Sequence, residues 1–521
     1  MLTEEITVPE KPTQNDFFKN MVLGHPAGLF VLFFTEMWER FSYYGMRALL
    51  VLFLTSSIAD GGWAWNTADA LSLYGTYTMG VYITPVLGGW IADRFLGYRW
   101  AVVFGALVMT MGHASMAMDT PTFLYIGISC LIIGNGLFKP NMTSIISNMY
   151  KKHQEKKDGA YSIFYMGVNA GAFLGIMLCG YIGEKVNWSW GFGLAGIFMF
   201  LGMLQFYFSQ NIFGNLGLRP NKAREDTLKT EDDGDENIPR RIVIHRLIVV
   251  LIFSIFTVFF WAAFEQAGGS MTLFADRYTQ RVLTGTAGLT FNIVDALLNI
   301  VPLAIITYVL FKLFSVTFKK YSLANTILGF SFTIIWGIVI WKIHREFSTS
   351  STEVAATWFG ILNSLFIICF APAFSKWWES KYTIPASMKF GLGLILLGVG
   401  FGFLSYGSSF ITGNAVKVSM AWLILAYLFH TLGELCLSPV GLSYVSKLVP
   451  AKWIGMMFGI YYLFIAAGNK LAGTMGGMID KISAQYSLMT FFLIFTIIPI
   501  VLGLILFALH PVIKKLMHGV K

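Results

Sequence analysis

The sequence predicts an all-α polytopic membrane protein with about fourteen transmembrane helices, and three observations carry that expectation. First, 56% of its 521 residues are hydrophobic and only 12% are charged. A soluble domain carries about 25% charged residues, so half that share leaves too little polar surface to hold so long a chain in water, and most of its exterior must face lipid. Second, apolar stretches long enough to cross a hydrocarbon core recur from Leu29 to Leu509. Third, Lys and Arg gather in alternate loops between these stretches, as they do when those loops are cytoplasmic.

The spans are expected at roughly 28–54, 71–92, 100–118, 122–139, 160–182, 190–209, 243–265, 290–314, 323–342, 355–375, 388–406, 418–440, 453–475 and 488–509. Arg94 and Arg99 follow the second span, Lys151, Lys152, Lys156 and Lys157 the fourth, and Arg240, Arg241 and Arg246 precede the seventh. Lys319 and Lys320, Lys376 and Lys381, Lys447 and Lys452, and Lys514, Lys515 and Lys521 continue the series; Lys342 and Arg345 break it. An even number of spans then puts both termini in the cytoplasm of a multi-pass protein of the cell (inner or plasma) membrane. The net charge of +9 is thus a record of topology and does not call for a nucleic-acid partner. Residues 1–20 are polar and partly acidic (Glu4, Glu5, Glu10), without the basic start and small-residue cleavage site of a signal peptide, so the first span is expected to be retained. Cys130, Cys179, Cys369 and Cys436 all fall inside spans without CxxC or Cys/His spacing, which indicates packing residues, not a disulfide framework or a metal site.

The longest polar interruption, from about Asn211 to Arg241, contains Thr230-Glu231-Asp232-Asp233-Gly234-Asp235-Glu236, a run too charged to pack or insert. Six spans precede this linker and eight follow, which gives two six-helix bundles plus two additional helices. A faint repeat agrees: Tyr82-x-x-Pro85-x-x-x-x-Trp90 in the second span matches Cys369-x-x-Pro372-x-x-x-x-Trp377 in the tenth. Parallel repeats of six-helix halves are the architecture of the major facilitator fold.

Ionisable residues within spans cost a few kcal/mol each on insertion scales, so they face a bundle interior or a water-filled cavity. In the first span Glu36, Glu39 and Arg40 share one helical face, Arg47 lies two turns beyond Arg40, and Tyr43 and Tyr44 fall between. A salt bridge locking two helices is the structural alternative, but three charges and a second Arg exceed what a lock requires. Lys139, in Gly134-Asn-Gly-Leu-Phe-Lys-Pro140, is expected to end the fourth span at a proline that frees backbone carbonyls beside a cavity. Snorkelling to the interface is its alternative. Glu265 and Glu434 are short acids deep in apolar surroundings, whereas His113, His430 and Lys470 read as packing or interface residues. Gly88-Gly89-Trp-Ile-Ala-Asp93-Arg94-Phe-Leu-Gly97 follows a membrane span and lacks GxxxxGK, so it is a tight connection and not a phosphate loop; Asp93 and Arg94 would lie at the cytoplasmic surface.

Glu36-Met-Trp-Glu39-Arg40-Phe41-Ser-Tyr43-Tyr44-Gly45 resembles the ExxERFxYYG signature of the proton-dependent oligopeptide transporters, a family of the major facilitator superfamily. Gly88 to Gly97 is similar to the facilitator loop in this family's form, with Gly89, Asp93 and Arg94 as its conformational motif. Phe164-Tyr165-Met-Gly-Val-Asn169-Ala-Gly171 resembles the family's FYxxxNxG, Phe260-Trp261-Ala-Ala-Phe264-Glu265-Gln266 its seventh core helix, and Gly433-Glu434-Leu-Cys-Leu-Ser438-Pro439 its tenth. The resemblance implies a proton-coupled symporter for dipeptides and tripeptides, with no cofactor beyond the coupling proton, working in membrane lipid. It implies that Arg47 and Lys139 receive the peptide carboxylate, that Glu434 and Asn363 receive its amino group, and that Tyr43, Tyr44, Tyr82 and Tyr461 line the cavity. Proton coupling is then expected through Glu36, Glu39 and Glu265, with Arg40 as their counter-charge, and alternating gates from Arg47 with Glu265 near the outer face and Lys139 with Glu434 near the inner face.

Three departures qualify the match. Trp358-Phe359-Gly-Ile-Leu362-Asn363-Ser364 resembles the eighth core helix, with Ser364 in place of the usual proline, which puts an inserted helix pair between core helices seven and eight instead of six and seven. Tyr461 stands where many members carry Trp, and Asp295 and Asn299 of the inserted pair have no role the resemblance supplies. The expected division is therefore an N-terminal segment at 1–27, a first bundle at 28–210, a linker at 211–242, the first helix of the second bundle with its loop at 243–289, the inserted pair at 290–345, the remainder of the second bundle at 346–510 and a tail at 511–521. The competing expectation is a facilitator symporter or antiporter for nitrate, an amino acid or a drug. An enzyme would want a metal cluster or a nucleophile with its base, and the sequence offers neither. It gives no oligomeric state.

Overall fold

The computed structural model describes residues 14–219, 239–411, 416–450 and 453–520. Most of the polar start, residues 220–238 of the linker with its acidic run, Lys452 and Lys521 lie outside the described residues. Fourteen helices of 19 residues or more make up the described protein: α1 (Ala27–Thr55), α2 (Thr67–Ile91), α3 (Tyr98–Met116), α4 (Pro121–Met149), α5 (Lys157–Lys185), α6 (Trp188–Ser209), α7 (Arg240–Phe264), α8 (Gly285–Thr317), α9 (Ser322–Phe347), α10 (Ile361–Glu379), α11 (Ala386–Ser408), α12 (Ala421–Leu448), α13 (Ile454–Gly476) and α14 (Leu488–Leu516). Eleven of these, with α5, α6, α7 and α10 counted together with their adjoining short helical segments, are long and apolar enough to cross a membrane by length and composition alone. α1 falls short because it carries Glu36, Glu39, Arg40 and Arg47, all of which it keeps inside the protein or at its central cavity.

Side-chain acceptors start several helices where the chain turns in: Asn66 accepts from Asp69 N at α2, Thr120 from Phe123 N at α4, and Ser487 from Thr490 N at α14. Helices run past the apolar spans at many of their ends, because hydropathy marks only the lipid-facing length and the backbone continues until a cap or turn stops it. The fourth span is the clearest correction. α4 does not end at Lys139 but passes through Pro140 to Met149. Proline removes one backbone hydrogen bond and crowds the carbonyl four residues earlier, Gly136 O; here Gly88 of α2 packs directly on that carbonyl, so packing carries the helix through the break.

α1 packs on α5 and α6, α3 on α4 and α6, and α2 on α4, forming the first six-helix bundle. α11 packs on α12 and α14, α10 on α12, and α7 on α12, α13 and α14, forming the second. The bundles meet along two seams, α2 with α13 and α5 with α10. This is the major facilitator arrangement. The motif that repeats between α2 and α10 places Pro85 and Pro372 inside equivalent second helices of the two bundles.

The two additional helices, α8 and α9, pack on each other, and α9 packs on α6 of the first bundle. Phe332 of α9 sets its ring 5.7 Å from both Phe34 and Trp38 of α1. Two short antiparallel strands, β1 (Val282–Thr284) and β2 (Ser351–Glu353), tie the entry and exit of the pair together. Lys342, which breaks the loop-charge pattern, is buried against Asp295 of α8 and lies 3.7 Å from Glu346.

Glycine sets the approach of the helices at a few positions. A Cβ at Gly88 would overlap the Gly136 carbonyl, whereas one at Gly337 in α9 would meet open space. Gly88→Ala is therefore expected to cost about 1–3 kcal/mol through forced displacement of α2 from α4. Gly337→Ala is expected to leave stability unchanged. Thermal unfolding of the purified protein in detergent measures both, and equal melting temperatures for the two variants contradict this packing.

Candidate functional site

Between the bundles lies a cavity of about 740 Å³, within the usual range for small-molecule sites. α1 brings Glu36, Arg40, Tyr44 and Arg47 to its wall, α2 Tyr82, α4 Lys139, α5 Tyr165 and Asn169, α10 Asn363, α12 Glu434 and α13 Tyr461. Thr143, Tyr161 and Leu442 also line it and stand within about two turns of the ends of α4, α5 and α12 that carry the basic loops. Glu39 and Tyr43 are buried behind the wall, Glu39 with no solvent exposure. The expected site residues thus gather around one space, ten lining it and two supporting it. Asp93 and Arg94 lie apart, exposed in a π-helical turn at Ala92–Leu96 after α2, while Gly89 stays within α2.

The ionisable residues form two groups. In the first, Arg40 Nε lies 3.0 Å from Glu36 Oε1 and 2.5 Å from Glu39 Oε2, and Asn135 of α4 donates from Nδ2 to Glu39 Oε1 at 2.9 Å. One guanidinium faces two carboxylates, so the cluster carries one negative charge in excess when both acids are ionised. In the second, Arg47 is paired with Glu265, which closes α7, and Tyr74 of α2 completes a triangle. Tyr74 accepts from Arg47 Nε at 2.6 Å and donates to Glu265 Oε2 at 3.0 Å. Arg47 also lies over the Tyr44 and Tyr74 rings, with its guanidinium 5.7 and 5.5 Å from their centroids.

Lys139 and Glu434 are not joined. The Lys139 ammonium sits 4.7 Å from the Tyr82 ring centroid, and no carboxylate among the described residues forms a salt bridge with it. Glu434 Oε2 accepts from Asn363 Nδ2 at 2.9 Å, and that amide also donates to Thr431. The first bundle therefore supplies the cavity's Lys and Arg residues, Arg40, Arg47 and Lys139, with Glu36 beside Arg40, and the second supplies the carboxylates Glu265 and Glu434. Tyr461 is nearly buried and its hydroxyl is 3.2 Å from Thr257 Oγ1, beside Gly441. The smaller ring in place of Trp is held by that hydroxyl contact within the second bundle.

Around the triangle the seams are closed. Gly75 of α2 meets Gly473 of α13 backbone to backbone, Lys470 Nζ donates to Thr76 Oγ1 at 2.7 Å, and Gly180 of α5 abuts Thr357. Glu184 of α5 accepts from Ala356 N, Thr357 N and Thr357 Oγ1 at 2.6–2.8 Å, gripping the short helical turn Ala356–Gly360 that leads into α10.

Sequence reading singled out neither Asn135 nor Tyr74, and both had a signal. Asn135 precedes Lys139 by four residues, so it shares the face that lines the cavity; Tyr74, Thr78 and Tyr82 form one stripe of α2. Lys470, read as an interface residue, is one that joins the two bundles. Asn135→Leu is expected to cost about 1–3 kcal/mol by leaving a buried carboxylate oxygen of Glu39 without its donor. Combining it with Glu39→Gln is expected to recover part of that loss, because an unpaired amide costs less than an unpaired carboxylate. A double-mutant cycle of thermal stability measures the coupling, and strict additivity contradicts the contact.

The model of the POT family matches residues 99–229 and 331–494, more than half of the chain. An uncharacterized transporter of Bacillus subtilis is 33% identical over 516 residues, covering 95% of this chain and 96% of that protein. A peptide transporter of Yersinia enterocolitica is 29% identical, again covering 95% and 96%. A crystal structure of a POT peptide transporter in complex with sulfate superposes with a TM-score of 0.74 at 28% identity, covering 98% of this chain and all of that one. The fold of two six-helix bundles is shared with the POT crystal structure, and the chain belongs to the POT family, as a multi-span membrane transporter and not an enzyme.

Proposed function

We propose that this protein is a proton-coupled symporter that imports dipeptides and tripeptides by alternating access. The observation that carries the reading is the polarity of the cavity: three cations against the single lining carboxylate Glu36 on the first bundle, two carboxylates and no Lys or Arg on the second, with tyrosines between. A peptide backbone is a zwitterion of fixed length with variable side chains. Opposite charges on opposite walls recognise its two ends, and a roomy interior accepts many side chains. The similarity to a peptide transporter of Yersinia enterocolitica points the same way.

In this reading Arg47 and Lys139 take the carboxylate, Glu434 and Asn363 take the amino group, and Tyr43, Tyr44, Tyr82 and Tyr461 shape the space. Both termini and the basic loops are cytoplasmic, the protein sits in the cell membrane, and the moving bodies are residues 28–210 against 243–289 with 346–510, linked by 211–242. Arg47 with Glu265 is the outer gate, closed in this structure; Lys139 with Glu434 is the inner gate, open in it. Opposite charges brought together in a partly dehydrated constriction attract more strongly than in water, although desolvation offsets much of the gain, so either gate can close without becoming irreversible. Asp93 and Arg94 would pair with a neighbouring helix when the cytoplasmic end closes.

Coupling follows from competition for positive charge. A carboxylate in a low-dielectric cavity is driven toward protonation and an adjacent guanidinium drives it back. A peptide carboxylate arriving at Arg47 competes with Glu265 for positive charge and favours its protonation, which couples substrate to proton entry. Glu36 and Glu39 share Arg40, so any movement of Arg40 alters their hold on a proton.

Glu39→Gln and Glu265→Gln are expected to abolish accumulation of dialanine driven by an imposed proton gradient in proteoliposomes, while sparing part of the counterflow, which needs no net proton movement. Continued accumulation by both variants rules out these coupling sites. Absence of peptide uptake by the parent protein, together with gradient-driven uptake of nitrate or a drug, replaces the substrate assignment.

A further inference from the structure

The inserted pair α8–α9 belongs to the second half by chain order but rests on the first bundle. α9 packs on α6, Phe332 lies between Phe34 and Trp38 of α1, and Arg345 Nη2 donates to Lys185 O of α5 at 3.0 Å. Its link to the second bundle is narrower. Asp295 Oδ1 accepts from Trp358 Nε1 at 2.9 Å, and Phe291 lies 5.1 Å from the Trp358 ring. Trp358 sits in the turn Ala356–Gly360, the same turn that Glu184 of α5 grips from the other side. Two carboxylates held by the first bundle, one directly and one through the inserted pair, thus hold the start of α10 at the outer seam.

A helix hairpin in lipid needs no buried charge to stay together, and burial of Asp295 and Lys342, 0% and 2% exposed, carries a desolvation penalty. The arrangement serves a bond that must break. Asp295 is paired with Lys342 and accepts from Asn299 Nδ2 at 3.0 Å through Oδ2, leaving Oδ1 for Trp358. When Trp358 withdraws, the carboxylate keeps its partners within the pair and no charge is orphaned. When the bundles rock, the pair cannot follow both. The packing of α9 on α6 and of Phe332 on Phe34 and Trp38 of α1 is the stronger attachment, and the Trp358 bond beside the short strands β1 and β2 is the weaker.

We infer that the inserted pair is a strap that travels with the first bundle and holds the outer end of the transport path closed through the Asp295–Trp358 contact. Asp295 and Trp358 are positioning residues, acting on α10 and through it on Asn363, and neither lines the cavity. The inference rests on the alternating-access reading above.

The test uses full-length protein in proteoliposomes with Cys130, Cys369 and Cys436 replaced and Leu71→Cys as reporter. Leu71 is buried at the closed outer seam, facing Gly269 and Gly476 of the second half. Its alkylation by a membrane-impermeant maleimide reads outer opening, and buried Cys179 in α5, which stays unlabelled in folded protein, reads integrity. Trp358→Phe, which removes the indole N–H and keeps an aromatic ring beside Phe291, and Asp295→Asn, which leaves only a neutral acceptor, are each expected to raise the labelling rate about tenfold, as weakening of a hydrogen bond to a charged acceptor implies. Glu265→Gln, which opens the outer gate directly, is the control for the reading beneath. Labelling raised by Glu265→Gln but unchanged by Trp358→Phe and Asp295→Asn overturns the strap and leaves alternating access standing. Labelling unchanged by all three overturns both.

Discussion

A charge inside lipid has to find its partner within the protein, and the rest of this structure depends on that constraint. α1 carries four ionisable residues through the bundle, and each is answered from nearby: Arg40 by Glu36 and Glu39 of its own helix, Glu39 also by Asn135 of α4, and Arg47 by Glu265 after α7 and Tyr74 of α2. Removing one member of such a buried pair leaves an uncompensated charge, a loss of about 3–5 kcal/mol. Because the partners sit on helices of both bundles, a change in bundle position is a change in who is paired with whom. Charge and conformation are thereby linked without any further device.

The apolar packing divides the same labour differently at the two ends. At the closed seam backbone meets backbone through Gly75 and Gly473, and Gly180 leaves room for Thr357. Contacts of this kind rely on close approach over a large area, which van der Waals attraction rewards in lipid where no hydrophobic drive acts between helices. The other end holds Lys139 over an aromatic ring and Glu434 on an amide, partners that are adequate but not exclusive. Groups held in that manner can be exchanged for a ligand at small cost.

The inserted pair adds a second layer. Its position in the chain, between the seventh and eighth core helices, places its ends at the closed seam, and its packing on α6 places its body on the opposite bundle. If the bundles move against each other as proposed, an element anchored to both must either yield at one of them or resist the motion. Asp295 keeps Lys342 and Asn299 as partners when Trp358 withdraws, which would make yielding at Trp358 the cheaper course.

The sequence by itself determined the membrane, the number of long helices and their order, because hydropathy and loop charge are local properties that lipid reads one segment at a time. It also placed Glu36, Glu39 and Arg40 on one helical face, with Arg47 two turns beyond, because that spacing is fixed by 3.6 residues per turn. Tertiary structure alone decided what local pattern leaves open. Pro140 does not end α4, since Gly88 supports the carbonyl it crowds. Tyr74 and Asn135 became partners of Glu265 and Glu39 only when α2 and α4 were set against α7 and α1. The inserted pair found its seat on the first bundle rather than beside its chain neighbours. Which cation meets which carboxylate is a matter of distances between helices far apart in sequence, and those distances are fixed by packing, which no single segment encodes.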